Sequence, residues 1–319
     1  MQRLAAAGLA THWFQRKHAE QYRCLVINKR YDAETLAVAG QLKGSGTRIV
    51  LDLCDNRFVD APATPEIAQG VERLRALVAL SDQVVTATPT LAERVRKACP
   101  QAPAISVIGD LADDLSLIPA DFRQKLQALQ ARLAASVKLA GARTRGRLGL
   151  VWFGNHGSPY GDGGMSDLLR VRQALEDLNR EHPLFLSILS NNRAKFDALF
   201  GDWSIPTRYF EWHPLAFEAL LQQHAVSLIP ITPNDFTACK TDNRVVTAFD
   251  AGLAVVADAI PSYLPYQAAI PLGNWQDGLR AYLQSRALRE QHVAEGRKIA
   301  ARLNDPETIT RKWIEVLHV

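Results

Sequence analysis

Short apolar runs alternate along the chain with longer stretches whose apolar positions recur every three or four residues. CLVIN (24–28), RIVLDL (48–53), QVVTAT (83–88) and AISVIG (104–109) are continuous enough to be buried strands. Between them, 33–42, 65–80 and 90–98 carry helical spacing. In 65–80 the stripe is Val71, Leu74, Leu77 and Val78, and Thr90 is placed to cap the next helix. A long amphipathic helix over 122–139 follows, then AGARTRGR (140–147), which has no apolar pattern. The alternation restarts with strands at LGLVWF (148–153), LFLSIL (184–189), TRYFEW (207–212), AVSLIPI (225–231) and LAVVAD (253–258). Helices over 167–179, 193–200, 214–223 and 241–251 lie between them, and helices over 275–285, 289–303 and 306–317 close the chain.

Alternation of this kind predicts parallel sheets covered by helices on both faces. Two runs of it predict an α/β chain of two Rossmann-like domains facing across a cleft, the first over 1–142 and the second over 143–305. AGARTRGR is then the linker. Its Arg143, Arg145 and Arg147 read either as a solvated tether or as a weak contact with anionic lipid headgroups.

Composition narrows the classes. With 319 residues, 47% hydrophobic and 22% charged, the chain can bury two cores. A net charge of +4 is mildly basic, without the dense Lys/Arg tracts of a nucleic-acid binder, so no nucleic-acid partner is expected. Cys24, Cys54, Cys99 and Cys239 are far apart and form no CxxC, which argues against a disulfide framework or zinc site and for a reducing, cytoplasmic setting. The first ten residues lack the apolar core and cleavage site of a signal peptide, and no run nears the ~20 apolar residues of a membrane span.

In open α/β sheets ligands sit beyond the carboxyl ends of strands, so the loops after strands hold the candidate chemistry. GNHGSPYGDGG (154–164) has five glycines, which expose backbone N–H groups and permit close approach. It precedes a helix as a phosphate-binding turn does, yet matches neither GxGxxG nor a Walker A motif. Gly154, Asn155 and Gly157 are its candidate anion contacts. His156 is a candidate acid/base group or a donor to a ligand oxygen. The alternative is a flexible surface turn.

PITPNDFTACKTDNR (230–244) places Lys240 and Arg244 where a helix begins. The helix dipole is positive there, so cations are locally unfavourable unless an anion binds between them. Lys240, Thr241, Asn243 and Arg244 are therefore phosphate-binding candidates, with Lys240 and Arg244 four apart on one helix face. The alternative pairs Arg244 with Asp242 or Asp250 and leaves Lys240 exposed. LDLCDNRFVD (51–60) gathers Asp52, Asp55 and Asp60 at a strand end. Asp55, as a general base or sugar-orienting group, and Asn56 are favoured there, because Asp52 lies within the strand. Trp152, Phe153, Tyr209, Phe210 and Trp212 read as core, while Tyr263 and Tyr266 border the presumed cleft, where one could meet a base or sugar.

FTACKTDNRVVTAFDAGLAVVAD (236–258) resembles the donor-binding core of GT-B glycosyltransferases related to family 4, whose form is K-S-x-N-R followed by a glycine and an apolar strand. HAVSLIPI and LVWFGN are similar to the family's preceding strand and glycine turn, and RIVLDLCDNRF and SDQVVTATPTLAERVR to first-domain segments. The likeness spans about residues 20–265 and is most specific over 240–244.

That resemblance implies a GT-B enzyme moving a sugar from a nucleotide-sugar donor to a glycan or lipid-linked acceptor, as in bacterial surface polysaccharide or glycoconjugate synthesis. The second domain would hold the donor and the first the acceptor. Lys240 and Arg244 would neutralise the leaving diphosphate, Gly154 would approach it, and the last helix (306–319) would cross back to the first domain. The nucleotide-sugar is then a co-substrate and no metal is strictly required. A lipid-linked acceptor would add peripheral contact at the inner membrane face. The family's two glutamates fall by register on Cys239 and Thr247, leaving Asp235, Asp242, Thr247 and Tyr263 as candidates toward sugar and ribose. The family's basic pair after the first strand of the second domain is missing, and the first domain is expected to be shortened at its start. Two other readings remain: a non-catalytic nucleotide or glycan binder on this scaffold, and a nucleotide-sugar epimerase or hydrolase.

Overall fold

The computed structural model describes residues 2–59, 64–111, 121–143 and 146–317. Strands β1 (Cys24–Asn28), β2 (Arg48–Leu53), β3 (Gln83–Thr86) and β4 (Ile105–Val107) form one sheet in the order β1-β2-β3-β4, parallel throughout. Strands β5 (Leu148–Phe153), β6 (Leu184–Ser190), β7 (Thr207–Glu211), β8 (Val226–Ile229) and β9 (Ala254–Ala257) form a second parallel sheet in the order β7-β6-β5-β8-β9. The two-sheet α/β architecture is the one that the alternating pattern predicts.

The helices are α1 (Gln2–Ala6), α2 (Ala33–Gly44), α3 (Pro65–Leu80), α4 (Pro89–Ala98), α5 (Phe122–Arg143), α6 (Arg172–Glu181), α7 (Arg193–Phe200), α8 (Pro214–Leu221), α9 (Asn243–Asp250), α10 (Trp275–Gln284), α11 (Arg286–Leu303) and α12 (Pro306–Leu317). Their starts follow local chemistry. Thr64 and Thr88 each accept from the backbone N–H three residues on, Ile67 and Leu91, and each precedes a proline preset for the first helical turn. The cap of α4 is thus Thr88 rather than Thr90. The predicted helix over 167–179 is instead a 3-10 turn, Gly164–Val171, leading into α6.

The larger core lies in the second sheet and its helices, centred on Trp152, Phe185, Phe249, Tyr263, Tyr266 and Tyr282. A second core joins the first sheet to α2, α3 and α4, with Leu51, Leu74, Leu77 and Leu91 fully buried. Ile309 and Val316 of α12 pack on Val50, Val85 and Ile108, so the end of the chain lies on the first sheet. The Val316 carbonyl accepts from Arg48 Nε at 3.2 Å.

The stretch 140–147 is less of a tether than its sequence suggests. α5 runs on to Arg143, and Arg147 donates to the Leu184 carbonyl at 3.0 Å. Arg145 lies outside the described residues, as does Asp60. Of the aromatics read as core, Trp152, Phe153, Tyr209 and Phe210 are buried, whereas Trp212 is half exposed.

α11 crosses α9 at Gly296, where an added Cβ would lie 2.3 Å from the Phe249 ring. Gly296→Ala therefore forces Phe249 out of its seat. The expected loss is about 1–3 kcal/mol in urea unfolding.

Candidate active site at the strand switch point

In the second sheet β6 and β7 lie to one side of β5, and β8 and β9 to the other. The order reverses between β5 and β8, and the crevice at such a point is where open α/β sheets take ligands. Both loops singled out in the sequence leave this point: 154–164 follows β5, and 230–242 follows β8. The first sheet, running in one direction, has no such reversal among the described residues.

The loop after β5 is tied down. Gly154 has φ +155°, and an added Cβ there would lie 2.8 Å from Arg244 Nη2. Gly164, at φ +83°, has no room either: its Cβ would lie 2.7 Å from the His156 carbonyl. That carbonyl accepts from Lys195 Nζ at 2.8 Å and Met165 N at 3.2 Å, and His156 N donates to Asn191 at 3.3 Å. Buried Asp167 accepts from Gly164 N at 2.8 Å and from Thr232 N at 3.0 Å, so one carboxylate joins the two loops. Gly157 lies against Lys195, and Asn155 is exposed at the turn.

Arg244 is the most constrained cation. Its Nε and Nη2 donate to the Phe153 carbonyl at 3.1 and 2.5 Å, and the guanidinium lies 5.2 Å from the Trp152 ring centroid. Among the described residues no carboxylate is ion-paired with it; it meets neither Asp242 nor Asp250. Burial pulls its pKa below the ordinary arginine value. The residue is only partly buried, and the nearby Asp167 carboxylate opposes the shift; of the five N–H donors of a guanidinium, two here go to one carbonyl. The remaining donors and the open side of the guanidinium are what an anion at the switch point would meet.

Lys240 stands apart from Arg244. α9 begins at Asn243, so Lys240 precedes it in an extended conformation and the two cations do not share a helix face. Lys240 Nζ reaches across to Asp55 at 2.5 Å and lies 4.0 Å from the Phe236 ring centroid. Asp55 is thus an ion-pair partner of the lysine, not an open carboxylate. Thr241 lies between the two cations, partly exposed, and the Thr247 hydroxyl donates to Asn243 Oδ1 at 3.3 Å.

The segment around Lys240 joins the two sheets. Asn56 Nδ2 donates to the Asp235 carbonyl at 3.1 Å, Thr88 Oγ1 to the Cys239 carbonyl at 3.1 Å, and Arg94 pairs with the Asp235 carboxylate. The Cys239 side chain is buried in the first core, and burial pushes its thiol up to about 11. Where the resembled family carries an acidic group, this chain has a thiol facing the first sheet. Asp242 accepts from Tyr266 at 2.5 Å and Asn304 at 3.0 Å. Tyr263 is a correction: it does not border a cleft but is 1% exposed, and burial pushes its hydroxyl up to about 12. Its place in the 3-10 turn Pro261–Tyr266 turns it inward.

Two features escaped the sequence. A cavity of about 380 Å³ is lined by Lys29, Arg30, Tyr31, Arg57 and Arg73 of the first sheet's loops and helix α3, and by Tyr160 from the glycine loop. The Arg57 guanidinium lies between Tyr31 and Tyr160, 4.9 and 5.1 Å from their ring centroids. Tyr160 stacks on Phe236, so the cavity adjoins the Lys240 site. The second feature is Asp52, set aside above because it lies within a strand. Burial pushes its pKa up to about 6, with Asp110 adding to the rise and a 2.7 Å bond from Asn28 opposing it. Strand position had argued against it, but the end of β2 encloses the carboxyl. Among the described residues no three His, Cys, Asp or Glu side chains gather as metal ligands.

The chain has the GT-B fold, two Rossmann-like sheets with helices around them. It is similar to sucrose-phosphate synthase from Thermosynechococcus elongatus, at 12% identity and TM-score 0.62, covering 94% of this chain and 74% of that one. It is also similar to HepE from Anabaena in complex with UDP-glucose, at 14% identity and TM-score 0.63, covering 94% and 80%. WaaG, a glycosyltransferase of lipopolysaccharide biosynthesis, shares 16% identity at TM-score 0.61 over 92% and 85%. No protein-family model and no curated protein matches the chain by sequence.

The raised pKa of Asp52 sets a pH dependence. Its folded value, about 6, exceeds the ordinary 3.8, so folding favours the protonated form. Its contribution is most favourable below about pH 4, declines as pH rises to about 6, and is flat above. Asp52→Asn should remove that slope and leave the variant more stable than the wild type at pH 7, by at most about 3 kcal/mol. Urea unfolding at about pH 4 and at pH 7, either side of that transition, checks it.

Proposed function

We propose that the chain is a glycosyltransferase that takes a sugar from a nucleotide-sugar donor and passes it to a glycan or lipid-linked acceptor. The carrying observation is the partly buried Arg244 guanidinium, not ion-paired with a carboxylate among the described residues, against Gly154 at the switch point. A diphosphate there would receive charge from Arg244 and Lys240 and N–H groups from the start of α9. As the bond from sugar to phosphate breaks, negative charge grows on the leaving oxygen, and fixed cations stabilise that charge more than the ground state. The donor is a co-substrate in this reading, and the cations carry the charge stabilisation without a required metal.

Residues 143–305 would hold the donor, 1–142 the acceptor, and 306–319 would tie the two. Asp235, Asp242 and Thr247 already have protein partners, so the sugar hydroxyls would fall to Asn155, His156 and the backbone of the glycine loop. The acceptor would enter the cavity between Arg57, Arg73 and Tyr160, which adjoins Lys240. The work would be cytoplasmic; no helix among the described residues is long and apolar enough to cross a membrane.

An assay of nucleoside diphosphate release across a panel of sugar nucleotides, with and without glycan acceptors, tests this. Acceptor-dependent release is expected, with Lys240→Ala lowering kcat/KM for the donor by about a hundredfold. Arg57→Ala should raise the acceptor KM and leave donor affinity unchanged. Release or isomerisation that ignores acceptor would favour a hydrolase or epimerase. Nucleotide binding without turnover would favour a non-catalytic binder.

A further inference from the structure

Helix α5 is packed the wrong way round for a free-standing surface. It packs against α8, and its Ala128, Ala135 and Leu139 are buried, while Phe122, Leu126, Leu129, Leu133 and Val137 are 44 to 82% exposed. At about 100° per residue the exposed set falls within one arc of about 80°, roughly opposite the alanines. The spacing of four, three, four and four makes a continuous apolar stripe down four turns. Stripes of this size on an exposed face mark interaction sites.

The flanks say what covers it. Every charged residue of α5 is basic: Arg123, Lys125, Arg132, Lys138 and Arg143. By the same helical spacing Lys125 edges one side of the stripe and Arg123 the other, whereas Arg132 donates to the Leu215 carbonyl and Lys138 lies 5.8 Å from the Phe210 ring centroid, so those two are turned to the protein. Pairing with a second copy of α5 would set like charges against each other. An apolar stripe edged on both sides by cations, without an acid, has the form of a helix lying in the plane of an anionic lipid surface. The linker cation Arg147 cannot serve this purpose, since it is bound to the Leu184 carbonyl.

We propose that the exposed face of α5 is a membrane-docking surface, its apolar stripe entering the headgroup boundary and its flanking cations meeting anionic lipid. The inference rests on α5 alone and is independent of the sugar-transfer reading. The glycine loop follows β5, the element after α5, so docking would hold the donor-side sheet at the surface by a direct connection.

The test is co-sedimentation of the full chain with vesicles of phosphatidylcholine alone and of phosphatidylcholine with phosphatidylglycerol. Binding is expected to the anionic vesicles and to fall with salt. Leu129→Gln with Leu133→Gln should weaken it by about tenfold or more at unchanged circular dichroism. Arg123→Gln with Lys125→Gln should weaken binding to anionic vesicles only. The inference is overturned if the wild type ignores anionic vesicles at low salt, or if the leucine variant binds as well as the wild type. It is equally overturned if the leucine variant turns a dimer into a monomer, which would assign the stripe to a second copy. A marked loss of thermal stability in that variant, with vesicle binding intact, would assign the stripe to a covering segment of this chain.

Discussion

Arg244 sets the terms for the second sheet. Its guanidinium lies over Trp152, donates to the carbonyl that ends β5, and leaves no room for a Cβ at the next residue, Gly154. One side chain therefore ties the start of α9 to the end of β5 and crowds the turn at Gly154. No carboxylate is ion-paired with it among the described residues, though Asp167 is near enough to act on it, and partial burial makes its charge more costly than at an open surface. A carbonyl and two aromatic faces offset part of that cost.

Lys240 belongs to a different regime. Its pair with Asp55 is partly open to water, with side-chain exposures of 36% and 28%. Such a pair is worth about 0–1 kcal/mol, too little to lock the lysine. The rest of the seam is firmer: the buried Cys239 side chain, the Thr88 bond to its carbonyl and the Asn56 bond to Asp235 hold the segment against the first sheet. The lysine is thus carried to the seam by fixed neighbours and held there by an exchangeable partner. A phosphate with two negative charges can displace a single carboxylate from it.

Much of this was legible in the chain. The continuous apolar runs give every strand of both sheets to within a few residues, because parallel strands buried on both faces must be continuously apolar. The two loops were legible too, one from its glycines and the other from cations at a helix start. Strand order was not, and it is the order β7-β6-β5-β8-β9 that puts those loops side by side. Nor were the partners that cross the seam: nothing local links Asp55 to Lys240 or Cys239 to the first core, since the contacts are 185 residues apart in one case and depend on docking in the other. Tyr263 misled because proline-rich turns are usually exposed, and this one folds back over the core. On α5 the apolar spacing is that of a buried face, yet the alanines took that place.

The central claim is that Lys240 exchanges Asp55 for a diphosphate beside a preset Arg244. Calorimetric titration of UDP, GDP and ADP into the wild type, Asp55→Asn and Lys240→Met tests it most directly. The account predicts that one of them binds the wild type, that Asp55→Asn binds it several-fold more tightly because the competing carboxylate is gone, and that Lys240→Met binds it about tenfold more weakly. If Asp55→Asn weakens binding as much as Lys240→Met does, or if none of the three nucleotides binds the wild type, the account is wrong.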